Sequence, residues 1–203
     1  MSPTIDYYFA PHSPWTYLGH RRFVEIAGAA GATIRVRPID LGGQIFPQTG
    51  GLPLAKRAPQ RQAYRLLELQ RFSRHLGVPL NLQPKFFPVS PDDAAQLVIA
   101  VDLRDGSEAA LALAGRILTA CWADERNIAN ESTLAELLAE SGLPRERLEA
   151  AHSQAAHERY LEYTQLALEA GVFGAPSYVI DGEIYWGQDR LDFVERRLAE
   201  ARG

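Results

Sequence analysis

Apolar and polar positions follow two different periods along this chain, and the changes of period mark its elements. Ile5, Tyr7 and Phe9 alternate with Asp6, Tyr8 and Ala10, the period of two expected of a strand. Ser13-Pro14 then reads as a helix start, with serine as cap and proline at the first helical position, where its missing N–H costs nothing. Trp15, Leu18, Phe23, Ile26 and Ala30 form an approximate helical stripe, Gly31 closes it, and Thr33 to Arg37 alternates again. This β-α-β opening predicts a parallel strand pair joined by a right-handed crossover.

From Gly42 to about Pro59 the periodicity lapses among glycines and prolines, and the segment reads as a loop long enough to have a function. Helical patterns return at roughly 60–76, 91–103, 108–125, 131–141 and 145–170, with start signals at Ser90, Ser107 and Asn130. Near the C-terminus, strands at about 177–181 and 183–186 flank Asp181-Gly182, a pair suited to the positive φ angles of a type I′ hairpin. Pro176, just before the first of them, either opens the strand or sits in a cis peptide that exposes the preceding backbone. A last helix from about 189 places Leu191, Val194, Leu198 and Ala201 on one face.

The order β-α-β, helices, β-β-α predicts an α/β thioredoxin-like fold with a large all-helical insertion between its halves. Residues 1–203 form a single domain in this reading. Segments 1–41 and 171–203 supply the halves, and 42–170 is the insertion, folded over the sheet edge because both halves must meet in one sheet.

Composition narrows the function classes. Of the 203 residues 46% are hydrophobic and 23% charged, as in soluble globular proteins. The net charge of −4, with no basic stripe, points away from nucleic acid, and no apolar run has membrane-spanning length. The N-terminus has no basic and apolar export pattern, so a cytoplasmic location is expected. Cys121, the single cysteine, rules out an intramolecular disulfide and reads as a buried small hydrophobe in an apolar helical run. The five histidines lack metal-ligand spacing, and Gly42-Gly43 and Gly50-Gly51 lack the lysine-serine ending of a phosphate loop, so no metal or nucleotide is expected. His12 reads as an edge or solvent residue, Trp15 and Tyr17 as core or dimer packing, and Tyr8 or Phe9 as a strand residue able to reach a pocket.

In redox enzymes of this arrangement a Cys-x-x-Cys opens the first helix, whose macrodipole stabilises a thiolate. Here the position holds Ser13-Pro14-Trp15-Thr16. The chain cannot run dithiol exchange itself, but a helix start with a hydroxyl donor suits a thiolate brought by another molecule, with glutathione the candidate.

Tyr8 to Leu18, Ile39-Asp40-Leu41, Phe86 to Val89 and Gly171 to Leu191 resemble the 2-hydroxychromene-2-carboxylate isomerase family, which is grouped with kappa-class glutathione transferases and DsbA-type oxidoreductases. The resemblance implies that Ser13 is the catalytic serine, hydrogen-bonded to the glutathione sulfur. It implies that Ala175, before a cis Pro176, pairs its backbone with the glutathione cysteinyl unit, and that Trp186, Gly187, Gln188 and Asp189 hold the γ-glutamyl end. The implied reaction converts a 2-hydroxychromene-2-carboxylate to a trans-o-hydroxybenzylidenepyruvate by thiolate addition, bond rotation and elimination. Lys56, Arg57 and Arg61 are offered for the carboxylate of the aromatic keto acid, and Ser90 as a further substrate contact. At Ser90 and around Leu54-Ala55 the chain departs from relatives that carry asparagine. Relatives form homodimers, which makes a second copy the expected partner. A kappa-like glutathione transferase and a non-catalytic thioredoxin-like binding module are the competing readings.

Overall fold

A computed structural model describes residues 2–200, which leaves Ala201 of the expected last-helix stripe outside the described residues. Strands β1 (Thr4–Phe9), β2 (Thr33–Pro38), β3 (Ser177–Ile180) and β4 (Glu183–Trp186) form one sheet in the order β2-β1-β3-β4. β1 runs parallel to β2, with Tyr7 opposite Val36, and antiparallel to β3, with Tyr7 opposite Tyr178. The hairpin joining β3 to β4 has φ of 51° at Asp181 and 83° at Gly182, the two positive values that a type I′ turn requires.

Alternation along the strands divides the core. Ile5, Tyr7 and Phe9 pack with Tyr178 and Ile180 against α1 (Pro14–Ala29) and against Leu191, Val194 and Leu198 of α9 (Leu191–Glu200). The Tyr7 and Tyr178 rings stack with centroids 5.5 Å apart. Tyr8 and Val179 point the other way, into a second cluster with Ile39, Ile45 and Val172.

Between β2 and β3 the chain is helical: α2 (Phe46–Thr49), α3 (Pro59–Leu76), α4 (Asp92–Asp105), α5 (Ser107–Trp122), α6 (Glu131–Glu140), α7 (Arg147–Ala151) and α8 (Gln154–Glu169). α4, α5 and α8 pack against β2, an edge strand, so the insertion folds over the sheet edge. His20 ties it to the sheet. Its Nε2 donates to the Leu111 carbonyl (2.9 Å), which leaves Nδ1 to accept from the Tyr7 hydroxyl (3.0 Å).

Several local expectations need correction. The stretch from Gly42 to Pro59 is not irregular. Leu41–Ile45 forms a π-helical turn, α2 follows, and Leu54–Lys56 is a 3₁₀ turn. The Asp40 carboxylate starts this run by accepting from the Gly43 N–H (2.7 Å). The pattern at 145–170 breaks after Ala151, and Ser153 caps α8 by accepting from the Ala156 N–H (3.3 Å). Ser107 is the first residue of α5 and not its cap; its hydroxyl donates to Asp102 (2.8 Å) and joins α4 to α5.

Candidate functional site

The start of α1, the turn before β3, the end of β4, the 41–54 segment and α3 enclose a cleft of about 1120 Å³. Ser13, 6% exposed, stands at its base. As N-cap of α1 its Oγ accepts from the Thr16 N–H (3.2 Å), and its hydroxyl donates to the Ala175 carbonyl over a long 3.4 Å. That second bond is weak by its length, so the proton is cheaply redirected. The helix start adds positive potential at the same point.

Across from Ser13 the Ala175–Pro176 peptide is cis. The Gly187 N–H donates to the Pro176 carbonyl (2.9 Å) and the Ser177 hydroxyl to the Gly174 carbonyl (2.8 Å), which fixes this turn against the end of β4. The Trp186 indole lies over Gly174, where a Cβ would collide with it, and meets the Phe173 ring at 4.8 Å. Both aromatic residues remain exposed. Gln188 is buried with its Nε2 unpartnered, an amide donor held without an acceptor. Asp189 at the rim pairs with Arg190 (2.8 Å).

Ala175, Trp186, Gly187, Gln188 and Asp189 thus come together with Ser13 in one cleft, and buried Pro176 adjoins them. On the opposite wall Arg57 and Arg61 line the cleft, whereas Lys56 and Ser90 do not. The Ser90 hydroxyl is engaged with Asp92 (3.1 Å). Arg65, which the sequence reading passed over, lines the cleft one turn after Arg61, with its guanidinium over the Phe87 (5.5 Å) and Trp122 (5.8 Å) rings. Its spacing of four from Arg61 was a usable signal. The rings it rests on come from distant segments and left none.

The expectation that Tyr8 or Phe9 reaches a pocket changes, whereas Trp15 packs on the core as expected and has a second role. Tyr8 and Phe9 are core residues away from the cleft, and the Tyr8 hydroxyl accepts from Arg37 (2.6 Å). Trp15 lines the cleft, edge-on to Phe72 at 6.1 Å. Cys121 is buried, and burial pushes its thiol up to about 12, far from a reactive value.

His12 is neither an edge nor a solvent residue. It lines the cleft beside Ser13 and stacks on Phe87 at 6.4 Å, while its carbonyl accepts from the Trp122 indole N–H (3.2 Å). Its Nδ1 is shut away without a partner, and burial, partly offset by Asp92, lowers the ring to about 4. His20 falls to about 4 by burial, partly offset by its bond to Leu111. The folded chain therefore binds fewer protons than the unfolded chain between about pH 4 and the ordinary histidine value near 6.5. Stability contributed by these rings is complete above that range and declines as pH falls through it. Urea midpoints measured at pH 7, 6 and 5 check this; no decline down to pH 5 would mean that both rings are hydrated.

A family model described as DSBA-like thioredoxin domain matches residues 4–199. A 2-hydroxychromene-2-carboxylate isomerase of Sphingobium xenophagum is 30% identical over 201 residues, covering 98% of this chain and 100% of that protein. Glutathione S-transferase kappa 1 of Caenorhabditis elegans is 25% identical over 209 residues, covering 98% of this chain and 92% of that one. A solved structure of a 2-hydroxychromene-2-carboxylate isomerase superposes with a TM-score of 0.80 at 30% identity, covering 98% of this chain and 95% of the other.

Proposed function

This chain belongs to the DSBA-like thioredoxin domain family and to its 2-hydroxychromene-2-carboxylate isomerases, and from that premise we propose that it is a glutathione-dependent isomerase. Its substrate in this reading is a 2-hydroxychromene-2-carboxylate-type compound and its product a trans-o-hydroxybenzylidenepyruvate-type keto acid. The observation that carries the proposal is the Ser13 hydroxyl at the start of α1, facing the Ala175 carbonyl across the cis proline turn in a cleft with no thiol of its own.

The residues present fit glutathione. The buried Gln188 amide donor lacks an acceptor, and Asp189 beside it is an anion suited to an α-ammonium group. The Ala175 backbone, in the bend just before β3, can pair with a peptide as an added strand would. When bound, glutathione supplies a thiolate that adds reversibly to the conjugated substrate, makes a double bond rotatable, and departs unchanged.

The chain's own residues do the rest. Ser13 turns its proton from Ala175 to the anion and keeps its cap on Thr16 with a lone pair. The α1 start holds negative charge at that atom. One of Arg57 and Arg61 binds and orients the substrate carboxylate, and the other is left for the glycyl carboxylate of glutathione. Trp15, Phe46 and Phe87 give the aromatic part an apolar wall and exclude water. The same reading has the protein working in the cytoplasm as a homodimer.

The kappa-class relative favours a second reading, in which addition to an electrophile is not followed by elimination. Incubation with glutathione and a chromene carboxylate, with free thiol titrated after many turnovers, separates the two. Undiminished thiol is expected of the isomerase, and stoichiometric loss would make the protein a transferase. A thermal shift with millimolar glutathione comes first: a ligand that binds only the folded state must raise Tm, so an unmoved Tm sinks both readings and leaves a non-catalytic module.

A further inference from the structure

Arg57, Arg61 and Arg65 lie at intervals of four residues on one wall of the cleft, Arg57 just before α3 and the others on its first two turns. Among the described residues no carboxylate lies within ion-pair distance of any of them, although arginines elsewhere, such as Arg126 and Arg147, are paired. Glu68 also lines the cleft, but it is engaged with Arg71 (2.6 Å). The Arg57 Nε donates to the Leu52 carbonyl (2.8 Å). Phe87 and Trp122 give Arg65 apolar and cation–π contact but no hydrogen-bond acceptor.

Two of the three charges are lowered by a neighbouring arginine as well as by burial. Burial and then Arg61 lower Arg57; burial and then Arg57 lower Arg65 to about 10, which still leaves it charged at neutral pH. Like charges in an apolar cleft are unfavourable until counter-charges arrive. One guanidinium satisfies one carboxylate with two parallel hydrogen bonds. Glutathione's glycyl carboxylate accounts for one of the three, and a monocarboxylate substrate for a second.

We propose that the aromatic substrate carries two carboxylates, and that Arg65 is the specificity residue that receives the second. This rests on the isomerase reading for its third counter-ion, but the selectivity itself is measurable without glutathione. Arg65 is a substrate-binding group here, set in place by the Phe87 and Trp122 rings.

Calorimetric titration with two unreactive probes tests this: trans-cinnamate, a monoanion, and 2-carboxycinnamate, a dianion, each with and without glutathione. The dianion is expected to bind about tenfold or more tightly, as a charged hydrogen-bonded contact provides. Arg65→Gln should bring that ratio below about threefold, and Arg65→Lys, which keeps the charge but loses the two-pronged fork, should give a ratio between that of Gln and that of the parent, which also guards against a packing defect as the cause. Arg21→Gln, which removes the same charge from an exposed position on α1, should leave the ratio unchanged and so exclude general electrostatics. Equal affinity for the two probes, or equal weakening of both by Arg65→Gln, overturns the proposal. Selectivity that persists where glutathione produces no thermal shift would discard the isomerase reading and keep the dicarboxylate site. A glutathione shift without selectivity would do the reverse.

Discussion

Replacing Ser13 by alanine lowers turnover with glutathione about 10²-fold, the range for losing one aimed donor at a developing or resident negative charge. The substitution also removes the cap on the Thr16 N–H (3.2 Å), which costs about 1 kcal/mol of stability. These effects separate with a second variant. Glycine is a tolerable N-cap and loses only about a few tenths of a kcal/mol relative to serine, yet it has no hydroxyl. Ser13→Gly should therefore match the alanine variant in kcat/KM and stay closer to the parent in Tm. Unchanged turnover in Ser13→Ala would reduce Ser13 to a helix cap.

Gly19→Ala is the second large effect, and it sets two magnitudes against each other. Gly19 lies inside α1, where alanine is favoured over glycine by about 1 kcal/mol. A Cβ there, however, would stand 2.6 Å from the Gln188 Cβ and 3.3 Å from its Cα. The Cα is backbone and cannot swing aside, and overpacking of this kind costs about 1–3 kcal/mol, so the clash wins. The loss falls on the turn that sets Gln188 in the cleft wall. A lower Tm together with about tenfold weaker glutathione binding is the expected calorimetric result. Gly28→Ala provides the contrast: its Cβ would meet nothing within 4 Å, so the variant should be as stable as the parent or more so. If the Gly19 variant gained stability and kept its affinity, α1 and Gln188 would not be in close approach.

Both predictions concern a junction of distant segments, and the sequence disclosed its two sides unequally. Ser13-Pro14 declared itself locally, since a capping hydroxyl followed by proline at the first helical position is chemistry within two residues. Asp181-Gly182 did the same, because positive φ at two successive positions restricts which residues fit. The stretch between Gly42 and Pro59 was opaque. Its π-helical turn depends on the Asp40 carboxylate reaching Gly43, which leaves no periodic apolar trace to read. The break at His152–Ser153 was hidden in the same way, because α7 and α8 continue one apolar pattern across it.

His12 and Arg65 were legible as residue types but not as members of the site. His12 is half-buried at the cleft because Phe87, from the segment before α4, stacks on its ring and Trp122 of α5 donates to its carbonyl. Arg65 met the same two rings, which the packing of the helical insertion on itself brings together.

Short-range sterics and hydrophobic period suffice for the strands, the helix start at Ser13, the hairpin and the order of elements that requires one mixed sheet. Which charges share the cleft, the burial of Gln188 without a partner for its amide nitrogen, and the lowering of the His12 ring arise only in the folded chain. Those are properties of solvent exclusion by residues far apart in the chain, and burial of that kind leaves no periodic mark along the sequence.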